Sequence, residues 1–137
     1  MSDVKITATA EESARAALGD MLHSPAPVID SVAASQLVAR HYGIQAEALP
    51  LACERDANFH MVAAQGKSCI LKVANPAEAA VSINFQTEAL LWLGRCDPGL
   101  PVPKVIPALD GRCEFPVDLP DGRKSMVRLL TWLDGVP

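Results

Sequence analysis

The chain has 137 residues, half of them hydrophobic, which is enough for the core of one small domain. Lys and Arg total 12 against 16 for Asp and Glu, a formal charge of −4; apart from the pair Arg123 and Lys124 the basic residues are scattered singly, which argues against a nucleic-acid surface. No apolar run approaches the roughly 18 residues that cross a bilayer, and the start Met1-Ser2-Asp3-Val4-Lys5 lacks the charged onset and apolar core of a secretory signal, so a cytoplasmic protein without membrane contact is expected.

Residues 1–27 are Ala-rich and polar, weakly helical around Glu11 to Leu18, and close on the breaker sequence Ser24-Pro25-Ala26-Pro27; they read as a flexible leader before a domain over 28–137. Asp30 or Ser31 can cap a helix with apolar positions Ala34, Leu37, Val38 and Tyr42 at helical spacing, stopped by Gly43. Ile44 to Ala52, Asn58 to Ala64 and Ser68 to Ala74 read as strands, the last two joined by a tight Gln65-Gly66-Lys67 turn. Asn75-Pro76 sets a capping side chain before a proline at the first helical position, and a long helix is expected from Ala77 to Arg95. After the rigid Pro101-Val102-Pro103 link, Asp110-Gly111 and Asp121-Gly122 mark turns between two or three further strands. This order predicts an α+β domain: an antiparallel sheet of about five strands, one helix before it, a long helix after the third strand, and both helices on one side.

Four widely spaced cysteines, Cys53, Cys69, Cys96 and Cys113, form no Cys-x-x-Cys pair and read as reduced thiols. His60, without a partner at ligand spacing, reads as structural or surface rather than as a metal ligand.

On the long helix, Val81, Phe85, Glu88 and Trp92 recur at spacings of four, three and four, so a carboxylate interrupts an apolar stripe. A buried glutamate needs a cation, and Lys72, set within the aliphatic strand Ile70-Leu71-Lys72-Val73, is the candidate partner.

A strand lysine paired with a glutamate on the following helix is also how kinases hold nucleotide phosphates. The segments Cys53-Glu54-Arg55-Asp56-Ala57-Asn58-Phe59, Cys69-Ile70-Leu71-Lys72-Val73-Ala74-Asn75-Pro76, Phe85-Gln86-Thr87-Glu88-Ala89-Leu90, Pro101-Val102-Pro103 and Val127-Arg128-Leu129-Leu130-Thr131-Trp132-Leu133-Asp134-Gly135 stand in this order. Together they resemble the N-terminal lobe of aminoglycoside phosphotransferase-like kinases. Within that family the chain is most similar to hydroxylysine, choline and ethanolamine kinase-like proteins, including bacterial chains in which such a module precedes an aminotransferase domain.

The resemblance implies a protein kinase-like N-lobe that binds ATP or GTP with Mg2+, in an enzyme that passes the γ-phosphate to a hydroxyl of a small amino alcohol or similar acceptor. It implies that Lys72 contacts the α- and β-phosphates, that Glu88 orients it, and that Ile70 lines the base pocket. Arg55, Asp56, Asn58 and Phe59 take the place of the glycine-rich phosphate loop, although that stretch contains no glycine. Leu130, Thr131, Trp132 and Leu133 fall where the two lobes connect, beside the purine.

No histidine begins a catalytic loop, and no Asp-Phe-Gly or Ile-Asp-Trp segment follows Lys72. The catalytic base and metal ligands of the family, which come from its second lobe, are therefore absent. The chain reads as a fragment that folds without turnover, with its Met126 to Trp132 strand left exposed to pair with another copy. The alternative, from another class, is a non-catalytic kinase-like module that regulates or binds protein, with an aminotransferase as its fusion partner.

Overall fold

The computed structural model describes Glu12, residues 24–64 and residues 66–133. Apart from Glu12, the helix expected at Glu11 to Leu18 lies outside the described residues, as do Gln65 of the hairpin turn and Asp134 to Pro137. The elements are α1 (Ser31–Tyr42), β1 (Ala46–Leu51), β2 (Ala57–Ala63), β3 (Ser68–Val73), α2 (Ala80–Cys96), β4 (Val105–Ile106), β5 (Phe115–Asp118) and β6 (Lys124–Thr131). The expected α+β architecture forms, with one helix before the sheet and a long helix after its third strand, and the sheet of about five expected strands has six among the described residues.

Helix α1 starts where Asp30 Oδ1 accepts from the Ala33 N–H at 2.8 Å, and ends at Gly43 in the left-handed conformation with φ 70°. Its Ala34, Val38 and Tyr42 are buried against Ala48, Phe59, Met61, Leu71, Val73, Val127 and Leu129, which makes this layer the core. The alternation of β3 fits: Cys69, Leu71 and Val73 are buried toward α1, whereas Ser68, Ile70 and Lys72, only half-buried, point to the other face. Phe115 closes one side of this core, its ring 4.7 Å from His41 and 5.9 Å from Tyr42.

All pairings are antiparallel, in the order β1-β2-β3-β6-β4, with β5 also on β6. Three turns repeat one hydrogen-bond pattern: Ala63 N to Lys67 O, Ala108 N to Arg112 O and Leu119 N to Arg123 O, each with a glycine N–H returning to the first carbonyl. The glycines involved, Gly66, Gly111 and Gly122, have φ of 80°, 88° and 89°, the left-handed position of a turn closed by a bulge. In the latter two, the Asp110 and Asp121 carboxylates accept from the backbone N–H and the Nε of the arginine two residues on. These bonds hold both carboxyls below the usual carboxylate range.

Four expectations change. The helices lie on opposite faces: Val127 and Leu129 belong to the α1 core, while Arg128 between them bonds Gln86 of α2. Helix α2 begins at Ala80, not at Ala77, because Asn75 Oδ1 accepts from the Ala77 N–H in a local turn and the cap position Ala79 has no side chain to offer. The strand from Met126 is no exposed edge, since β6 is paired on both sides and Leu129 and Leu130 are buried. Finally, Ser24 to Pro27 is attached to the lobe: Arg123 donates to the Pro25 and Ala26 carbonyls at 2.9 and 3.2 Å, and Pro27 is buried.

The apolar stripe of α2 also faces the opposite way from the expectation. Val81, Phe85 and Trp92 are 76%, 75% and 57% exposed, and the helix docks through Ile83 and Thr87 instead. Phe85→Ser should therefore shift unfolding free energy by less than about 0.5 kcal/mol, whereas Ile83→Ala should cost about 2–4 kcal/mol; urea melts of the two variants check the contrast, and equal losses would mean the stripe is packed.

Candidate functional site: the sheet face away from α1

The pairing register sorts the face opposite the core into two adjacent rows. Leu49, His60, Ile70 and Leu130 stand side by side across four strands in one row, and Leu51, Asn58, Lys72 and Arg128 in the next. Two residues along a strand span about 6.8 Å, so an apolar strip lies directly beside a strip carrying two cations and an amide. Trp132, just past β6, extends the apolar strip: its ring stacks on His60 with centroids 3.8 Å apart and planes within 10°, and its backbone N–H donates to the Ser68 carbonyl at 3.4 Å.

Lys72 and Ile70 share this face, as their spacing on β3 requires. Glu88 does not join them. It lies on the exposed side of α2, and among the described residues no ion pair links it to Lys72. The stripe that suggested burial faces solvent, so Glu88 has no desolvation cost to offset.

The contact between sheet and α2 is made by Arg128 instead. Only 9% exposed, it donates from Nη2 to Gln86 Oε1 at 2.6 Å, and Gln86 in turn donates to Glu78 Oε1 at 3.3 Å. Burial pushes the Arg128 guanidinium below its ordinary value, opposed by Glu78, Glu114 and Asp56, and an arginine keeps its charge throughout. Its Nη1 is buried with no partner among the described residues. A cation inside Val127-Arg128-Leu129-Leu130 is the same anomaly as Lys72 within its strand, and it was the legible signal for this contact.

The β1–β2 turn is turned inward. Asp56 Oδ1 accepts from the Asn75 N–H at 2.9 Å, and the Arg55 carbonyl accepts from Asn75 Nδ2 at 2.8 Å. Asn75, 3% exposed, also donates to the Ser24 carbonyl at 3.1 Å, so one side chain fastens the turn, the entry to α2 and the segment before α1. The Asp56 carboxylate is thus engaged inside the lobe. Phe59 cannot serve as a phosphate-loop side chain, because it belongs to the α1 core on the opposite face. Asn58 remains on the site face, its Nδ2 3.7 Å from Cys53 Sγ and its Oδ1 buried without a partner among the described residues.

In the stretch Leu130 to Leu133, the Thr131 N–H donates to the Lys104 carbonyl at 2.9 Å, and Thr131 Oγ1 accepts from the Lys104 N–H at 2.8 Å. The backbone N–H groups of Thr131 and Trp132 are thus engaged within the lobe. A separate cavity of about 830 Å3 opens at the β2–β3 hairpin end, bordered by Gly43, Ile44, Ser68, Cys69, Thr131 and Trp132; it shares with the expected site residues only Thr131 and Trp132. Burial raises the Cys69 thiol at its wall, and all four cysteines are free thiols. Among the described residues no group of three His, Cys, Asp or Glu could hold a metal ion, and no helix is long and apolar enough to cross a membrane.

A hydroxylysine kinase from Danio rerio is 31% identical over 112 residues, covering 74% of this chain and 30% of that protein. The structure of a microcompartment-associated aminopropanol kinase superposes with a TM-score of 0.61 at 24% identity, over 77% of this chain and 33% of that one. The amicoumacin kinase hAmiN, solved in complex with AMP-PNP, Ca2+ and Ami, gives a TM-score of 0.64 at 18% identity, over 78% of this chain and 32% of that one. No family model matches, and the chain spans about a third of the length of these relatives. With a hydroxylysine kinase matched over 74% of this chain and a kinase-like N-lobe as its fold, the chain is similar to the N-terminal lobe of aminoglycoside phosphotransferase-like kinases.

Proposed function

We propose that this lobe binds the nucleotide of a small-molecule phosphotransferase, in which the γ-phosphate of ATP or GTP passes to a hydroxyl of a small amino alcohol or similar acceptor. The observation that carries the reading is the paired rows of the sheet: an apolar strip of Leu49, His60, Ile70 and Leu130 beside a polar one with Asn58, Lys72 and Arg128. A nucleotide has that same division, an apolar base at one end and an anionic chain at the other. In this reading Ile70 and Leu130 pack against the base, Lys72 neutralises the α- and β-phosphates, and Asn58 offers its amide near them. The acceptor class is supported by the names of two relatives, a hydroxylysine kinase and an aminopropanol kinase.

The chemistry that Mg2+ would supply in such an enzyme is neutralisation of the charge that develops on the phosphates. The described residues offer no cluster for it, and in this reading its ligands and the base that accepts the hydroxyl proton come from a second lobe. The work of this chain is positioning and electrostatics.

The missing Lys72–Glu88 ion pair favours a second reading, a kinase-like module that regulates or binds protein without turnover. Titration with MgATP and MgGTP, followed by amide NMR, separates the two. Localised shifts at Asn58 to His60, Ile70 to Val73 and Leu130 to Leu133 are expected for the nucleotide lobe, and a preference would name the donor. Unshifted spectra at millimolar nucleotide would favour the non-catalytic module.

A further inference from the structure

The stripe that α2 turns to solvent carries charge as well as apolar surface. Val81, Phe85 and Trp92 are exposed on it, and so are Glu88 and Arg95. The five follow one another at spacings of four, three, four and three, the heptad spacing that keeps one seam of a helix facing a second helix. Glu88 and Arg95 stand two turns apart on the same side, separated by about 10 Å along the axis, too far to pair within one helix. Among the described residues neither has an ion-pair partner.

We propose that this seam is a self-complementary interface for a second copy of the chain, with the two α2 helices antiparallel across a two-fold axis beside Trp92. Glu88 of each copy then faces Arg95 of the other, so one contact occurs twice, as an isologous interface requires. Trp92 meets its equivalent near the axis, and Phe85 lies over the turn that follows the other copy's helix. A parallel pair in register would set Glu88 on Glu88 and Arg95 on Arg95, and like charges oppose it. The charge pattern selects a second copy as occupant, because the same surface turned around supplies both missing counter-charges. Val81, Phe85 and Trp92 present about 400 Å2 per copy, and with a polar rim the pair reaches about 1,000 Å2, the lower end for a specific interface. A reversible dimer with a Kd of about 10–100 µM is therefore expected. Since α2 docks on the lobe through Ile83 and Thr87, the seam faces away from the nucleotide rows, and the dimer stands apart from that reading.

Sedimentation equilibrium of the parent chain up to about 1 mM should show monomer passing to dimer. Trp92→Ser should weaken the dimer at least tenfold. Glu88→Arg leaves two cations on the seam and Arg95→Glu leaves two anions, so each alone should also dimerise at least tenfold more weakly. Mixed in equal amounts, these two variants should form a heterodimer within about threefold of the parent's affinity, because every Glu–Arg contact returns. The double variant Glu88→Arg, Arg95→Glu, which exchanges the charges, should dimerise like the parent. Unchanged far-UV circular dichroism of the dilute variants separates lost pairing from lost folding. A parent that stays monomeric at the highest concentration overturns the inference and leaves the stripe to a different partner, such as a second lobe. A dimer that persists in both charge variants, or that mixing and the double variant fail to restore, overturns the antiparallel pairing of α2.

Discussion

Replacement of Lys72 by alanine is expected to lower kcat/KM of the full-length protein for phosphoryl transfer by about 10²–10³, the usual loss when one group aimed at developing charge is removed. Lys72 sits mid-strand between buried Leu71 and Val73, so its ammonium is presented from a rigid sheet rather than from a loop. In the proposed reading it meets the α- and β-phosphates in ground and transition states alike and aligns the chain for transfer, so both KM and kcat should suffer. Lys72→Met keeps most of the apolar stem and separates lost charge from lost packing; it should be as inactive as the alanine variant. Full activity in both would exclude the phosphotransferase reading. The missing ion pair adds a second arm: if Glu88 stays exposed during turnover, Glu88→Gln leaves activity within a few-fold, and if α2 rotates to bring Glu88 onto Lys72, that variant loses activity comparably.

The largest stability loss from a polar substitution should come from Asn75→Ala. The side chain is 3% exposed, donates to the Arg55 and Ser24 carbonyls at 2.8 and 3.1 Å, and accepts from the Ala77 N–H at 2.9 Å. Truncation leaves these backbone groups without their partner, and each such group costs about 1–3 kcal/mol where water cannot replace it; with partial rescue by water, a net loss of about 2–4 kcal/mol is expected. Urea unfolding should show a lower midpoint at unchanged slope. Asp56→Ala, which removes the carboxylate facing the Asn75 N–H, should be non-additive with it, since both act on one junction. A loss below about 0.5 kcal/mol for Asn75→Ala would mean that the three segments are held by other contacts.

Most of the architecture was legible, because it is written in short-range signals. Asp30 and Gly43 bound α1 as capping chemistry dictates, and the Asp-Gly pairs at 110 and 121 turn the chain where expected. What misled was α2. Its most prominent apolar residues, Val81, Phe85 and Trp92, lie on the solvent side, and the face that docks is marked only by Ile83, Thr87 and the polar Gln86. Periodicity reports that a helix has an apolar stripe, but not which surface that stripe meets. Reading Glu88 as buried followed from this, and the Lys72–Glu88 pairing with it. Asn75 misled for a different reason: the same Asx side chain can cap a helix or close a turn, and the choice was settled by the distant partners Arg55 and Ser24, which no local pattern reveals. Phe59 shows the limit of transferring a loop from a resemblance, since strand alternation alone separates it from Asn58.

The position of β6 has a consequence for how the lobe is made. The last strand among the described residues is the hub of the sheet: it closes the edge of β3 and gives β4 and β5 their only strand partner there. A growing polypeptide can assemble β1, β2 and β3 as consecutive hairpins, yet it must add α2, β4 and β5 while the β3 edge stays open, at about 5–20 residues per second. That interval leaves unpaired backbone available to neighbouring nascent chains. Truncation anywhere before Lys124 should thus give an insoluble product rather than a smaller domain, and soluble expression should switch on abruptly once the chain reaches Thr131.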